Sequence, residues 1–141
     1  MKSKQLITAL LAIVFCACLL AGCGNDKQHS SDEKNKISIT DSLGRKVVLD
    51  KPVSRAVVAN AYNTELINAI GAIDDVVGVD FNIYQDQEGF KNKFTKDMVI
   101  GKSQRELNYE KIIELKPEVL ILTSNGAWQD AEAKLSPFGI K

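Results

Sequence analysis

Residues 108–122 read Asn-Tyr-Glu-Lys-Ile-Ile-Glu-Leu-Lys-Pro-Glu-Val-Leu-Ile-Leu, and this stretch decides the fold class. Asn108 has a side chain suited to a helix N-cap, and the apolar residues after it recur at helical spacing until Lys116-Pro117 closes the helix. Val119-Leu-Ile-Leu122 is then a short, continuously apolar run, typical of a strand buried on both faces of a parallel sheet. A helix that leads directly into such a strand indicates an α/β protein.

Two further strands of the same kind precede this stretch. They are Arg55-Ala-Val-Val-Ala59 and Val76-Val-Gly-Val79, and Val99-Ile100 is a shorter third candidate. A different pattern opens the domain, because Lys36–Thr40 and Lys46–Asp50 alternate apolar and polar residues around the turn-forming segment Asp41-Ser-Leu-Gly-Arg45. This pattern predicts a β-hairpin in which the glycine of the turn takes positive φ.

A first helix is predicted from Glu65, capped by Asn63 or Thr64 and ended by Gly71. Its buried stripe is expected to consist of Leu66, Ile67 and Ile70.

A last helix is predicted to be opened by Ser124 or Asn125, to reach Leu135 and to be broken at Pro137.

Strands that alternate with helices predict right-handed crossovers and a mostly parallel, helix-flanked sheet preceded by the hairpin. Ligands of such sheets bind beyond the carboxyl ends of the strands. Aromatic and amide side chains recur in the loops at those ends, as expected of a pocket that holds a bulky ligand without reacting with it. These loops are 60–63, 80–84, 102–105 and 123–128.

The amino terminus has the pattern of a lipoprotein leader. Two early lysines precede the apolar run Leu6–Leu20, whose length of about fifteen residues falls short of the roughly twenty that a spanning helix needs. Leu20-Ala-Gly-Cys23 is a lipobox, so residues 1–22 are predicted to be a signal peptide and Cys23 the lipidation site. Two acyl chains on Cys23 hold a protein stably on the outer face of the cell membrane. A plain transmembrane anchor or an ordinary cleaved signal leaves Cys23 unexplained.

Residues 23–35 are predicted to be the lipidated cysteine and a flexible tether, because nothing from Asn25 to Asn35 is apolar. The only histidine, His29, lies in this tether, and the three cysteines all lie at or before position 23. Residues 36–141 therefore have neither a thiolate nor an imidazole for a metal site. The chain has 18 basic and 18 acidic residues, which does not indicate a nucleic-acid partner.

Three motifs, in this order, resemble those of the iron-siderophore, haem and cobalamin substrate-binding lipoproteins of bacterial ABC importers. They are Asp41-Ser-Leu-Gly-Arg-Lys-Val47, then Glu65-Leu-Ile-Asn-Ala-Ile-Gly71 with Val76-Val-Gly-Val79, and then Asn108-Tyr-Glu-Lys-Ile112 with Leu115-Lys-Pro-Glu-Val-Leu-Ile121. The resemblance covers residues 37–141.

This resemblance implies two α/β lobes joined by one rigid helix, with the ligand in the cleft between them. Residues 36–141 correspond to an incomplete N-terminal lobe, so the second lobe is missing and the chain is expected to be a fragment or a truncated product. The implied function is capture of an iron chelate (siderophore or haem) or a cobalamin-like ligand for a permease and its ATPase subunits, with no cofactor. A chain that carries one wall of such a cleft is expected to bind none of these ligands tightly.

The resemblance also implies the residues of the site. Ligand contacts are expected in the strand-end loops, at Asn60, Tyr62, Phe81, Tyr84, Ser103, Gln104, Ser124 and Trp128. The family docks on its permease through an acidic residue near the start of the helix that follows the Val119–Leu122 strand. Gln129 stands at the matching position and is not acidic, so the adjacent Asp130 and Glu132 are the expected docking residues.

Alternatives remain open at the level of sequence. One is a metal- or oxyanion-binding member of the same family, and another is a surface adhesion or sensor module without transport. A hydrolase that uses metal-bound carboxylates would rely on Asp80 at a strand end. No Gly-rich phosphate loop and no Ser-His-Asp or Cys-His set is present, so catalysis is not expected.

Overall fold

The computed structural model describes residues 36–86, 88–90 and 92–141. The predicted signal peptide, Cys23 and the tether lie outside the described residues. Within them, no helix has both the length and the apolar character needed to cross a membrane. The elements in chain order are β1 (Ile37–Thr40), β2 (Lys46–Leu49), β3 (Ala56–Val58), α1 (Ala61–Ala69), β4 (Val76–Val79), α2 (Phe81–Gln85), β5 (Gly101–Ser103), β6 (Glu106–Leu107), α3 (Tyr109–Leu115), β7 (Val119–Ile121) and α4 (Trp128–Leu135), with single 3-10 turns at Ile73–Asp75, Lys96–Met98 and Ser136–Phe138.

The predicted amino-terminal hairpin is confirmed. Strands β1 and β2 pair antiparallel, with Ile37 opposite Leu49 and Thr40 opposite Lys46. Asp41 closes the turn, because its Oδ1 accepts hydrogen bonds from the backbone N–H groups of Leu43 (2.9 Å) and Arg45 (2.8 Å). Gly44 takes a φ of +79°, a conformation in which a Cβ atom is unfavourable.

The central sheet is parallel, as the apolar runs predict. Its strand order is β4-β3-β7, so β3, which comes first of these three strands in the chain, lies in the middle. Ala56 pairs with Val76 on one side and with Val119 on the other. The short strand candidate Val99-Ile100 lies beside β4, where Val99 forms an isolated parallel bridge with Val79.

Helices cover both faces of this sheet, which confirms the helix-flanked α/β fold. Successive residues of β3 point to opposite sides. Val58 belongs to a core cluster with Ile83 of α2, whereas Val57 belongs to a second cluster with Ile112 of α3 and Leu135 of α4. Both valines are fully buried, so β3 has the two covered faces that its continuous apolar sequence requires.

The first helix begins earlier than predicted, at Ala61, and its cap is Asn60 rather than Asn63 or Thr64. Asn60 has an extended backbone, and its Oδ1 accepts from the Asn63 N–H at 3.2 Å. Thr64 is fully buried inside the helix, and its hydroxyl donates to the Asn60 carbonyl at 2.9 Å. The predicted buried stripe is wrong for Leu66 and Ile70, which are 65% and 79% exposed. Only Ile67 of that stripe packs against the core.

The helix caps of α3 and α4 differ in origin. The predicted cap of α3 is confirmed, because Asn108 Oδ1 accepts from the Lys111 N–H at 3.0 Å. The prediction for α4 is wrong, because this helix begins at Trp128 after Ala127, without a side-chain cap from Ser124 or Asn125. The Ala127 N–H instead donates to the carbonyl of Gln104 at 3.0 Å, so a distant segment satisfies the helix start.

Candidate functional site

The carboxyl ends of the parallel strands lie at one edge of the sheet, and the loops that follow them form a continuous surface there. We call this surface the strand-end wall and define it as residues 60–63, 80–85, 102–105 and 123–128. Its segments are joined in order around the edge. Helix α1 contacts α2, α2 contacts β5, and Gln104, directly after β5, bonds to the loop after β7.

Two aromatic side chains of the wall are open to solvent. Tyr62, in the first turn of α1, is 76% exposed, and Phe81, the first residue of α2, is 41% exposed. Tyr84 is half-buried, packs against the core cluster of Val58 and lies 6.1 Å from the Phe81 ring. Exposed rings at the carboxyl edge of a parallel sheet are a surface that a ligand can cover.

Asp80 has a structural role in the wall. Its Oδ1 accepts from the Ile83 N–H at 3.1 Å, so it caps α2, and the residue is only 4% exposed. Burial raises the pKa of this carboxyl above its ordinary value. This buried oxygen already serves the helix start, an arrangement that does not resemble an open metal-binding carboxylate.

The β5–β6 segment connects two parts of the wall. Asn82 donates to the carbonyl of Lys102 at 3.4 Å, which links α2 to β5. Ser103 Oγ accepts from the Arg105 N–H at 3.3 Å, so this hydroxyl supports the local turn. Arg105, which sequence reasoning did not select, is exposed, and its Nε donates to the carbonyl of Asn125 at 3.0 Å.

Gln104 fastens the loop after β7. Its Oε1 accepts from the hydroxyl of Thr123 at 2.6 Å and from the Thr123 N–H at 3.3 Å. Together with its carbonyl, which accepts from Ala127, Gln104 holds both ends of the 123–127 loop. Ser124 is left exposed at the surface of this loop. As ligand contacts, Ser124 and Gln104 stay predictions.

Trp128 is half-buried and lies under the amino-terminal hairpin. The guanidinium carbon of Arg45 is 4.9 Å from the centroid of the indole ring, a cation–π distance. Arg45 also forms ion pairs with Asp41 (Nε to Oδ2, 2.7 Å) and with Glu132 of α4 (Nη1 to Oε2, 3.2 Å). One of the two predicted docking acids is therefore paired, whereas Asp130 is exposed and forms no ion pair with the described residues.

A cavity of about 730 Å³ lies beside the wall, between the hairpin, β7 and α4. Apolar side chains such as Ile39, Val47 and Ile121 line most of it, and it shares Trp128 with the wall. On this flank the backbone of Lys141 runs beside β7, because the Leu120 N–H donates to the Lys141 carbonyl at 2.9 Å. In the part of the chain that the structure describes, no group of three or more His, Cys, Asp or Glu side chains is placed to hold a metal ion.

The family model described as periplasmic binding protein matches residues 57–137, which is more than half of the chain. The chain belongs to the periplasmic binding protein family. A similar relative of this family is an uncharacterized ABC transporter substrate-binding lipoprotein, YvrC, of Bacillus subtilis strain 168. It is 34% identical over an alignment that covers 99% of this chain and 44% of YvrC.

Solved structures of periplasmic binding proteins share the fold. The molybdate-bound protein MolA of Haemophilus influenzae superposes with a TM-score of 0.63 at 24% identity, over 74% of this chain and 32% of MolA. A periplasmic haem-binding protein of Pseudomonas aeruginosa superposes with a TM-score of 0.53 at 26% identity, over 64% of this chain and 30% of that protein. The chain thus spans less than half of YvrC and about a third of each of these structures.

Proposed function

We propose that the strand-end wall contacts the solute in a substrate-binding lipoprotein of an ABC importer, and that the solute is a bulky iron chelate (a siderophore or haem) or a cobalamin-like ligand. The observation that carries this proposal is the exposure of Tyr62 and Phe81 at the carboxyl edge of the sheet. Large rings held open to water on neighbouring loops gain most when a ligand with apolar surface covers them.

The chemistry of the wall favours a chelate over a bare ion. Apart from the charged residues Asp80, Lys102 and Arg105, its polar side chains are amides, hydroxyls and aromatic rings, and the described residues contain no histidine or cysteine. An oxyanion such as the molybdate of MolA requires several N–H donors that converge on a small volume. Around Gln104 the polar groups already bond to one another, as the Oε1 contacts with Thr123 exemplify.

The same proposal includes an anchor and a docking surface. Lipid on Cys23 would hold the domain at the extracytoplasmic face of the cell membrane, beside the permease that receives the solute. Asp130 is the better placed of the two acidic docking candidates, because Glu132 is engaged by Arg45. A free carboxylate on an exposed helix can meet a basic permease surface without first breaking an ion pair.

The role is binding without turnover. Asp80, the carboxylate on which a hydrolase would most plausibly rely, caps α2 and is buried. We expect no hydrolysis of a phosphoester panel in the presence of Mg²⁺, Mn²⁺ or Zn²⁺. Turnover that Asp80→Asn abolishes would contradict a pure carrier.

Titration of the fluorescence of Trp128 tests the cargo class, because this is the only tryptophan of the chain. Ferric siderophores, haemin, cobalamin and molybdate are each added, and quenching by a chelate or haemin is expected with an affinity weaker than micromolar. The double variant Tyr62→Ala/Phe81→Ala should weaken it. Phe138→Ala is the matched control, since this ring is 61% exposed but lies in the turn that leads back to the start of β7. Equal loss in the control, or a response to molybdate alone, would remove the proposed cargo.

A further inference from the structure

Arg45 joins the amino-terminal hairpin to α4 through a single side chain. It sits at the end of the hairpin turn, directly before β2, and its guanidinium reaches α4. Its Nε is bound to Asp41 at 2.7 Å, its Nη1 is bound to Glu132 at 3.2 Å, and its Cζ lies over the Trp128 ring, 4.9 Å from the ring centroid. A planar guanidinium can make edge-on ion pairs and a face-on ring contact at the same time, which an ammonium cannot.

The approach of Arg45 is fixed from the hairpin side. Asp41 accepts from the Arg45 backbone N–H with one carboxylate oxygen and from Nε with the other. These bonds, the backbone one foremost, lower the pKa of Asp41, so the carboxylate stays charged at neutral pH. The hairpin thus orients the Nε of Arg45, so that only the end of the guanidinium must be ordered against Glu132 and the Trp128 ring.

We propose that Arg45 is a positioning residue that holds the indole ring of Trp128 in the strand-end wall. Its importance for ligand affinity rests on the proposed function, but its effect on the ring does not. The ring face under Arg45 is closed to solutes, so a ligand meets Trp128 at its opposite face or its edge. The same guanidinium holds Glu132 on the hairpin side of α4, which leaves Asp130 as the docking candidate that forms no ion pair among the described residues.

The test compares the environment of Trp128 in the full ligand-free chain, purified in mild detergent, and in three variants. Arg45→Gln removes both the charge and the guanidinium. Arg45→Lys keeps a positive charge but loses the planar guanidinium with its several N–H donors. Lys46→Gln is the matched control, because it removes one positive charge from the next residue of the same hairpin, and Lys46 makes no described ion pair.

We expect Arg45→Gln to red-shift the emission of Trp128 and to raise its acrylamide quenching constant. Arg45→Lys should fall between Arg45→Gln and the unmodified chain, and Lys46→Gln should match the unmodified chain. Far-UV circular dichroism at the same temperature identifies any variant that has unfolded. Glu132→Gln, which keeps the Asp41 pair and the stack, then provides a milder variant that should show a smaller shift in the same direction.

Two results would overturn the proposal: an unchanged quenching constant in folded Arg45→Gln, or an equal change in Lys46→Gln. Haemin titration provides the second readout. Haemin binding to Arg45→Gln should be weaker by at most about two- to fivefold, because the strength of a partly exposed cation–π contact limits the cost of reordering the ring on binding. If the emission shifts as expected but neither haemin nor any siderophore binds the unmodified chain, the positioning role stands and the proposed function fails.

Discussion

Replacing Gly78 by alanine adds one methyl group at a crowded point between the sheet and α3. Gly78 lies in β4 and is buried. A Cβ atom built there would stand 2.8 Å from Leu115 Cδ1, 2.9 Å from Ile100 Cγ2 and 3.1 Å from Val57 Cγ2. All three distances are shorter than an ordinary carbon–carbon contact of about 3.5–4.0 Å.

The expected magnitude follows from how freely these neighbours can move. Leu115 presents the far end of a flexible side chain, which can turn away. Ile100 and Val57 are β-branched, stiff at χ1 and fully buried, so they can yield only if the sheet or α3 shifts. Overpacking of this kind lowers the free energy of unfolding by about 1–3 kcal/mol. At about 4 °C per kcal/mol, the melting temperature should fall by roughly 4–12 °C.

Thermal and urea unfolding, followed by circular dichroism, measure this loss. The double variant Gly78→Ala/Leu115→Ala provides the internal control, because removing the Leu115 methyl groups relieves the closest contact. Leu115→Ala should therefore cost less in the Gly78→Ala background than alone, with a coupling of about 0.5–3 kcal/mol. A Gly78→Ala variant within about 0.5 kcal/mol of the unmodified chain, or a coupling near zero, would refute the packing described for β4 and α3.

Further predictions concern a carboxylate, a cap and the core. A hydrogen bond from Lys51, followed by backbone donors, lowers the pKa of Glu118 from 4.5 to about 2. The stabilisation that Glu118 provides is therefore present above about pH 4.5 and is lost as the pH falls toward 2. Between about pH 6 and about pH 3, the melting temperature of Glu118→Gln should fall less than that of the unmodified chain. Asn60→Ala should cost about 0.5–2 kcal/mol in urea unfolding and Asn63→Ala much less, and the reverse order would contradict the observed cap. Ile112→Ala, at a fully buried site, should cost about 2–5 kcal/mol by the same assay, whereas a loss near zero would mean that α3 does not pack as described.

The sheet and its parallel order are predictable from sequence, because their signals are local and redundant. The runs at 55–59, 76–79 and 119–122 are continuously apolar, and the helical spacing between them requires crossovers. The cap of α3 is predictable for the same reason, since Asn108 is the one suitable residue before its helix. At α1 the sequence predicts Asn63 or Thr64 as the cap, but Thr64 is buried inside the helix and Asn60 caps it one turn earlier, which local sequence does not reveal.

The contacts that shape the site join residues that are far apart in the chain, and the spacing of residues along the sequence does not predict them. The carbonyl of Gln104 replaces the expected cap of α4 by accepting from the Ala127 N–H, and the Gln104 side chain bonds to Thr123, 19 residues away in the chain. Arg45 and Glu132 are 87 residues apart in the chain. Sequence reasoning therefore located the strand-end loops from the strand order, but it did not detect Arg45 or Arg105. The individual ligand contacts stay predictions, because a polar side chain in a loop can equally bond to its own fold, as Asn60 and Gln104 do.

Chemical-shift mapping of the isotope-labelled chain tests the proposed solute wall most directly, because it detects weak binding residue by residue. Gallium(III), which is diamagnetic, replaces iron in a catecholate siderophore and in protoporphyrin, and each complex is titrated to saturation. Changes confined to residues 60–63, 80–85, 102–105 and 123–128, with Tyr62 and Phe81 among the largest, are the predicted result. Changes centred on the opposite edge near Phe138, or none with any ligand at millimolar concentration, would contradict the assignment of this edge as the solute-binding surface.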